Sequence, residues 1–234
     1  PQDIWQTGKG GLAQAVVGLR GCTGSFVSES GLILTNHHCA YRAIQRNSTE
    51  QRNLLADGFM AAKQSDELRG WGMSVQVFLA QRDVSAEVLA DLPKDDDYKR
   101  IQLIEAREKK LIKECEQTPN RRCRVTRENG GLRFTLYTML DIPDVRLVLA
   151  PPQALGEYGG EVDNWQWPRH TMDFTLLRAY VSKEGKAAPY HKDNVPYRPA
   201  VHIRPSQKGI SAGDLVMVLG TPGRTSRYSV GASG

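Results

Sequence analysis

Gly21-Cys-Thr-Gly-Ser-Phe-Val-Ser-Glu-Ser-Gly-Leu-Ile-Leu-Thr-Asn-His-His-Cys39 is the stretch whose reading decides the fold. Ser25–Ser28 and Leu32–Asn36 are strand-like runs, and Glu29-Ser30-Gly31 between them is a turn in which Gly31 can take a positive φ. Ala15–Leu19, just upstream, is a further short apolar run. Cys22 and Cys39 flank the hairpin. If strand geometry runs on through His37 and His38, their side chains point to opposite faces, so only one of them can enter a given cleft. The same alternation argues against the pair sharing one metal ion.

Outward from the hairpin, residues 50–69 are mixed and 84–116 read as helical. Tyr98, Ile101, Ile104, Leu111 and Ile112 recur at helical steps. Asp95, Asp96 and Asp97 precede this stripe, Lys109, Lys110 and Lys113 close it, and Pro119-Asn120 stop it. Strand patterns return at Arg133–Leu140, Val145–Leu149, Phe174–Val181 and Leu215–Leu219, with Gly220-Thr-Pro-Gly223 as a turn. Short strands at this density, punctuated by Gly and Pro, predict a mostly β sandwich or barrel with one helical excursion. The domain reading is a first part of a barrel over 1–83, the helical excursion over 84–124, the rest of the barrel over 125–228, and a patternless end over 229–234.

The bulk numbers exclude several classes. The 234 residues are 40% hydrophobic, ordinary for a globular chain, and contain no apolar run long enough for a membrane span. A net charge of +5 is modest and spread out, and aromatic platforms do not cluster with it, so no nucleic-acid partner is expected. The one tight basic run, Arg121, Arg122 and Arg124, reads as a solvated loop. The four cysteines lack metal-finger spacing. Cys22 with Cys39 and Cys115 with Cys123 each close a short loop, which suits two disulfides and an oxidising compartment; four buried thiols are the alternative. No metal or cofactor is called for. The chain opens on Pro1 without a leader, which reads as a processed or cut end.

A His directly before a half-cystine, at the end of an apolar strand, resembles the catalytic histidine of chymotrypsin-like peptidases. The resemblance selects His38, which adjoins Cys39, as general base and leaves His37 to packing or hydrogen-bonding support. A second dense stretch is Tyr158-Gly-Gly-Glu-Val-Asp-Asn-Trp-Gln-Trp-Pro-Arg-His-Thr-Met-Asp-Phe-Thr-Leu-Leu-Arg178. Asp173, immediately before a strand, is placed to accept a hydrogen bond from the His38 ring and set its tautomer. Asp141, Asp144 and Asp163 compete, but read as turn residues that serve their own backbone.

These blocks, together with DVRLVLAPPQALGEYGGEVDNWQWPRHTMDF and GDLVMVLGTPGRTSRY, resemble the bacterial dipeptidyl-peptidase 7/11 family over nearly the whole chain. The resemblance implies a chymotrypsin-like double β-barrel with a helical insertion and a triad in the order His, Asp, Ser. It implies release of dipeptides from the free N-terminus of oligopeptides, with Asn164 and Trp165 holding the α-amino group. It also implies a periplasmic or surface location. Met172 departs from the His-Thr-Gly-Asp pattern of the family by replacing its Gly. Family members run to about three times this length, consistent with further domains. The nucleophilic Ser and oxyanion hole are therefore expected beyond Gly234, and this chain alone is expected to be inactive. Ser233, in a Gly-Ala-Ser-Gly end, and Ser25 are not read as the nucleophile. A non-catalytic peptide-binding module on the same barrel is the alternative, and an ordinary endopeptidase of the same fold is a weaker one. The oligomeric state is left open, with a homodimer of the full-length protein as one arrangement.

Overall fold

The computed structural model describes residues 11–160, 162 and 170–217. Eleven strands join in one sheet: β1 (Val16–Gly18), β2 (Thr23–Phe26), β3 (Leu32–Thr35), β4 (Phe59–Met60), β5 (Leu68–Arg69), β6 (Val75–Asp83), β7 (Arg121–Glu128), β8 (Arg133–Ile142), β9 (Asp144–Ala150), β10 (Thr175–Val181) and β11 (Val195–Pro196). The order along the sheet is β4-β9-β10-β3-β2-β1-β6-β8-β7, with β5 also on β9 and β11 on β10. All the pairings are antiparallel. The helices are α1 (His37–Asn47), α2 (Leu54–Asp57), α3 (Ser85–Leu89), α4 (Asp97–Cys115) and α5 (Gln153–Gly156).

The hairpin forms as its sequence requires. Phe26 faces Ile33 across β2 and β3, and both are fully buried; burying such side chains contributes about 1.5–3 kcal/mol each. Gly31 in the connection has φ +71°, and a Cβ there would stand 2.7 Å from the Tyr197 carbonyl oxygen. The main core gathers one face of the curled sheet: Val17, Phe26, Ile33, Val75, Val77, Val145, Leu147 and Leu177. A satellite core, Val84, Val88, Leu111, Phe134 and Leu136, lies where α3 and α4 cover the far part of β7 and β8. The Asp96 side chain caps α4 by accepting from the Lys99 amide at 2.9 Å.

Both expected disulfides are present, Cys22–Cys39 and Cys115–Cys123. The first ties the start of β2 to α1; the second ties the end of α4 to β7.

Four readings of the sequence need correction. His37 and His38 do not continue β3: they open α1, so their side chains diverge by about 100° of helical rotation and not by strand alternation. Arg121, Arg122 and Arg124 stand on the edge strand β7, not in a loop, since β8 pairs with it over its whole length. Asp141 and Asp144 lie on β8 and β9, not in turns. Asp144 is buried against Arg146 through two hydrogen bonds, at 3.2 and 2.9 Å, and also accepts from Asn194. The strand expected over Leu215–Leu219 does not form in its described part: Leu215, Val216 and Met217 are exposed and pair with no other strand among the described residues. Asp163, Ser233, the 220–223 turn and the 229–234 end lie outside the described residues.

Candidate active site

Strand register brings the key pair together. Thr35 at the end of β3 faces Thr175 at the start of β10. Two residues outward on each side, the start of α1 therefore meets Asp173. The His38 Nδ1 lies 2.9 Å from Asp173 Oδ2, across 135 positions of sequence. The other carboxylate oxygen, Oδ1, accepts the His38 backbone N–H at 3.2 Å. Asp173 thus serves as the acceptor for an unpaired amide in the first turn of α1, a position where the helix dipole favours negative charge.

Burial alone would push the Asp173 carboxyl up. The His38 amide, the His38 ring and the Asn36 carboxamide together outweigh it and hold the group below the ordinary carboxylate range. An ionised Asp173 leaves Nδ1 as the ring donor and Nε2 as the basic nitrogen. The His38 side chain is 61% exposed, and no hydrogen-bond partner reaches its Nε2 among the described residues.

His37 points the other way. It is fully buried with Ala40 and Ile44 on the inner stripe of α1. Neither of its ring nitrogens has a hydrogen-bond partner among the described residues, so its support is packing. Gly156, the last residue of α5, lies on the ring: a Cβ there would stand 2.7 Å from His37 Cγ. The Gly156 carbonyl accepts from Thr171 Oγ1 at 2.9 Å, and the Leu155 carbonyl accepts the Met172 amide at 2.8 Å. His37 thereby carries α5, and α5 carries the segment that ends in Asp173. Met172, where the resemblance leads one to expect Gly, lines a groove with Met60, Leu149, Leu155 and Phe174, and the His38–Asp173 bond forms beside it.

His38 and Asp173 line an open cleft of about 450 Å³ with Gly156, Glu157, Tyr158, Gly160 and Thr171. Cys22, Cys39 and His38 lie close enough to suggest a metal cluster, with ligand atoms within 4.8 Å of one another. The two sulfurs are joined to each other, so they present no thiolate to an ion. Asn164 and Trp165 lie outside the described residues. Sequence reasoning missed Asn36, Gly156, Glu157 and Tyr158. Asn36 carries a signal as an N-cap residue type before the histidines, and the other three lie inside the long block that resembles the family, without a role of their own in it.

Comparison with known proteins settles the lineage. The model of the peptidase S46 family matches residues 2–233. This chain belongs to the peptidase S46 family. Among S46 relatives, it is similar to the Asp/Glu-specific dipeptidyl-peptidase of Shewanella putrefaciens, with 46% identity over 92% of this chain and 30% of the relative. The dipeptidyl-peptidase 7 of Phocaeicola vulgatus is 37% identical over 97% of this chain and 32% of its own length. The crystal structure of Porphyromonas endodontalis DPP11 with the dipeptide Arg-Glu superposes with a TM-score of 0.80 at 37% identity, over 90% of this chain and 32% of that one. The chain therefore spans about a third of the length of the S46 relatives it matches, and the superposition shows the mostly β architecture shared with DPP11.

Proposed function

We propose that this protein is a serine dipeptidyl-peptidase in which His38 is the general base and acid and Asp173 orients it. The observation that carries this reading is the His38 Nδ1–Asp173 Oδ2 bond at 2.9 Å on the wall of an open cleft, with Nε2 left for a reacting group. Nε2 takes the proton of a serine hydroxyl as it attacks the scissile carbonyl, then returns it to the leaving amine. Asp173 remains ionised throughout and stabilises the imidazolium. The serine and the oxyanion donors come from the sequence that the longer S46 relatives carry outside the shared third.

The exopeptidase choice rests on the relatives' named activities and on Asn164 and Trp165. Gly160 and Thr171, which stand before and after these two in the sequence, both line the cleft. An Asn carbonyl accepts from an ammonium, and a Trp face shields it. A substrate anchored by its free α-amino group is then cut two residues in. Relatives named Asp/Glu-specific, at up to 46% identity, make acidic second residues the first substrates to assay. Two disulfides support a periplasmic or surface location.

The test is dipeptide release by the full-length protein from peptides with free and with blocked N-termini. Activity confined to free N-termini and lost in H38A is the expected result. Equal cleavage of blocked peptides would make the protein an endopeptidase, and full activity of H38A would remove the site.

A further inference from the structure

Asn36 holds a place beside the reacting pair that the mechanism above leaves without a role. It is the N-cap of α1, where an Asn side chain ordinarily accepts an amide of its own helix. Here it makes no such bond. Its amide nitrogen instead donates to Asp173 twice, to the backbone carbonyl at 3.2 Å and to Oδ2 at 3.0 Å. The capping amide bond it forgoes is supplied by Asp173, whose Oδ1 accepts from His38 N–H. The two residues have exchanged duties: the aspartate caps the helix, and the cap residue grips the aspartate.

We infer that Asn36 is a positioning residue of the peptidase reaction, fixing the Asp173 carboxylate so that Oδ2 stays in line with His38 Nδ1. This rests on the catalytic reading given above. The argument is one of hydrogen-bond inventory. A carboxamide nitrogen carries two hydrogens on one planar group, and holding both the Asp173 main chain and its side chain uses both. A serine has one hydrogen to offer, and an ionised aspartate has none. Without Asn36, Oδ2 keeps only the His38 ring and Oδ1 only the His38 amide, so one residue alone restrains the carboxylate. The bond lost is to a charged acceptor, the stronger kind.

The test compares N36A, N36S and N36D with wild type in the full-length protein, reading kcat and KM for dipeptide release and the NMR signal of the His38 Nδ1 proton. The expected result is a fall in kcat of about ten- to a hundredfold in N36A with KM within about twofold. N36S, with one donor, should fall between N36A and wild type. N36D should lose more than N36A at neutral pH, because its carboxylate faces Oδ2. The Nδ1 proton signal should broaden in N36A as the bond loosens. Three variants with kcat within about twofold of wild type would overturn the inference. So would equal losses in all three with an unchanged Nδ1 signal, which is what a purely structural role predicts. If the wild-type full-length protein releases no dipeptides, the peptidase reading fails separately. The Nδ1 signal of N36A still decides whether Asn36 holds the pair.

Discussion

At the scale of single residues, the pair His38 and Asp173 divides its labour through geometry. Asp173 spends both oxygens on donors from the start of α1, which keeps it ionised where an imidazole titrates. D173N in the full-length protein should therefore keep its fold near neutral pH and lose about 10⁴-fold in kcat, because the amide favours the wrong tautomer; steady-state kinetics on acidic-second-residue substrates checks this. The folded-state pKa of Asp173 is depressed, so its contribution to stability is present above the unfolded carboxylate value and is lost as pH falls through the folded value. Unfolding midpoints in denaturant, followed down the acid range, should fall less steeply in D173N than in wild type. Gly156 makes a different prediction. G156A places a methyl group 2.7 Å from a buried ring that has nowhere to go, costing about 1–3 kcal/mol. The companion change H37A should relieve part of that cost, which a double-mutant cycle on unfolding free energy would show as a coupling.

Among the elements, the hairpin β2–β3 and the helix α1 are tied by Cys22–Cys39, which closes 17 positions of sequence directly beside His38. Replacing both cysteines by serine should cost about 2–4 kcal/mol of stability, read as a lower thermal midpoint. What the sequence made legible divides by physical type. The turn at Gly31, the strand runs on either side of it, the α4 stripe and the pairing of Asp173 with His38 all follow from local periodicity or from a long motif. The start of α1 is hard to read because the strand run Leu32–Thr35 leads straight into it, and the acceptor that caps it comes from Asp173, 135 positions away, which no local pattern shows. Asp144 departs from its turn reading for a different reason. A turn residue type sits on a strand because Arg146, two positions on, pairs with its charge and Asn194, 50 positions away, donates to it. The arginines of β7 read as loop because an edge strand with solvated side chains shows charge and hides its backbone pairing.

For the molecule as a whole, a buried core is surrounded by a surface that carries several large apolar side chains. Met60, Ile210, Leu215, Val216 and Met217 are all more than half exposed, surface that invites association. Expressed without the remainder of its relatives' length, this 234-residue chain should self-associate at high concentration and release no dipeptides. Sedimentation and a peptide assay check the two halves, and a monomeric or an active preparation would contradict them. The register at Thr35 and Thr175 has a different reach. Because backbone pairing at that one spot sets where imidazole and carboxylate meet, the long span between them need only depart and come back. The arm bearing α3, α4 and β7 leaves on β6 and returns on β8, two strands zipped to each other. Lineages are thereby free to lengthen, shorten or redecorate that arm, and an engineer to graft a foreign module onto its tip, with the chemistry left undisturbed at the root.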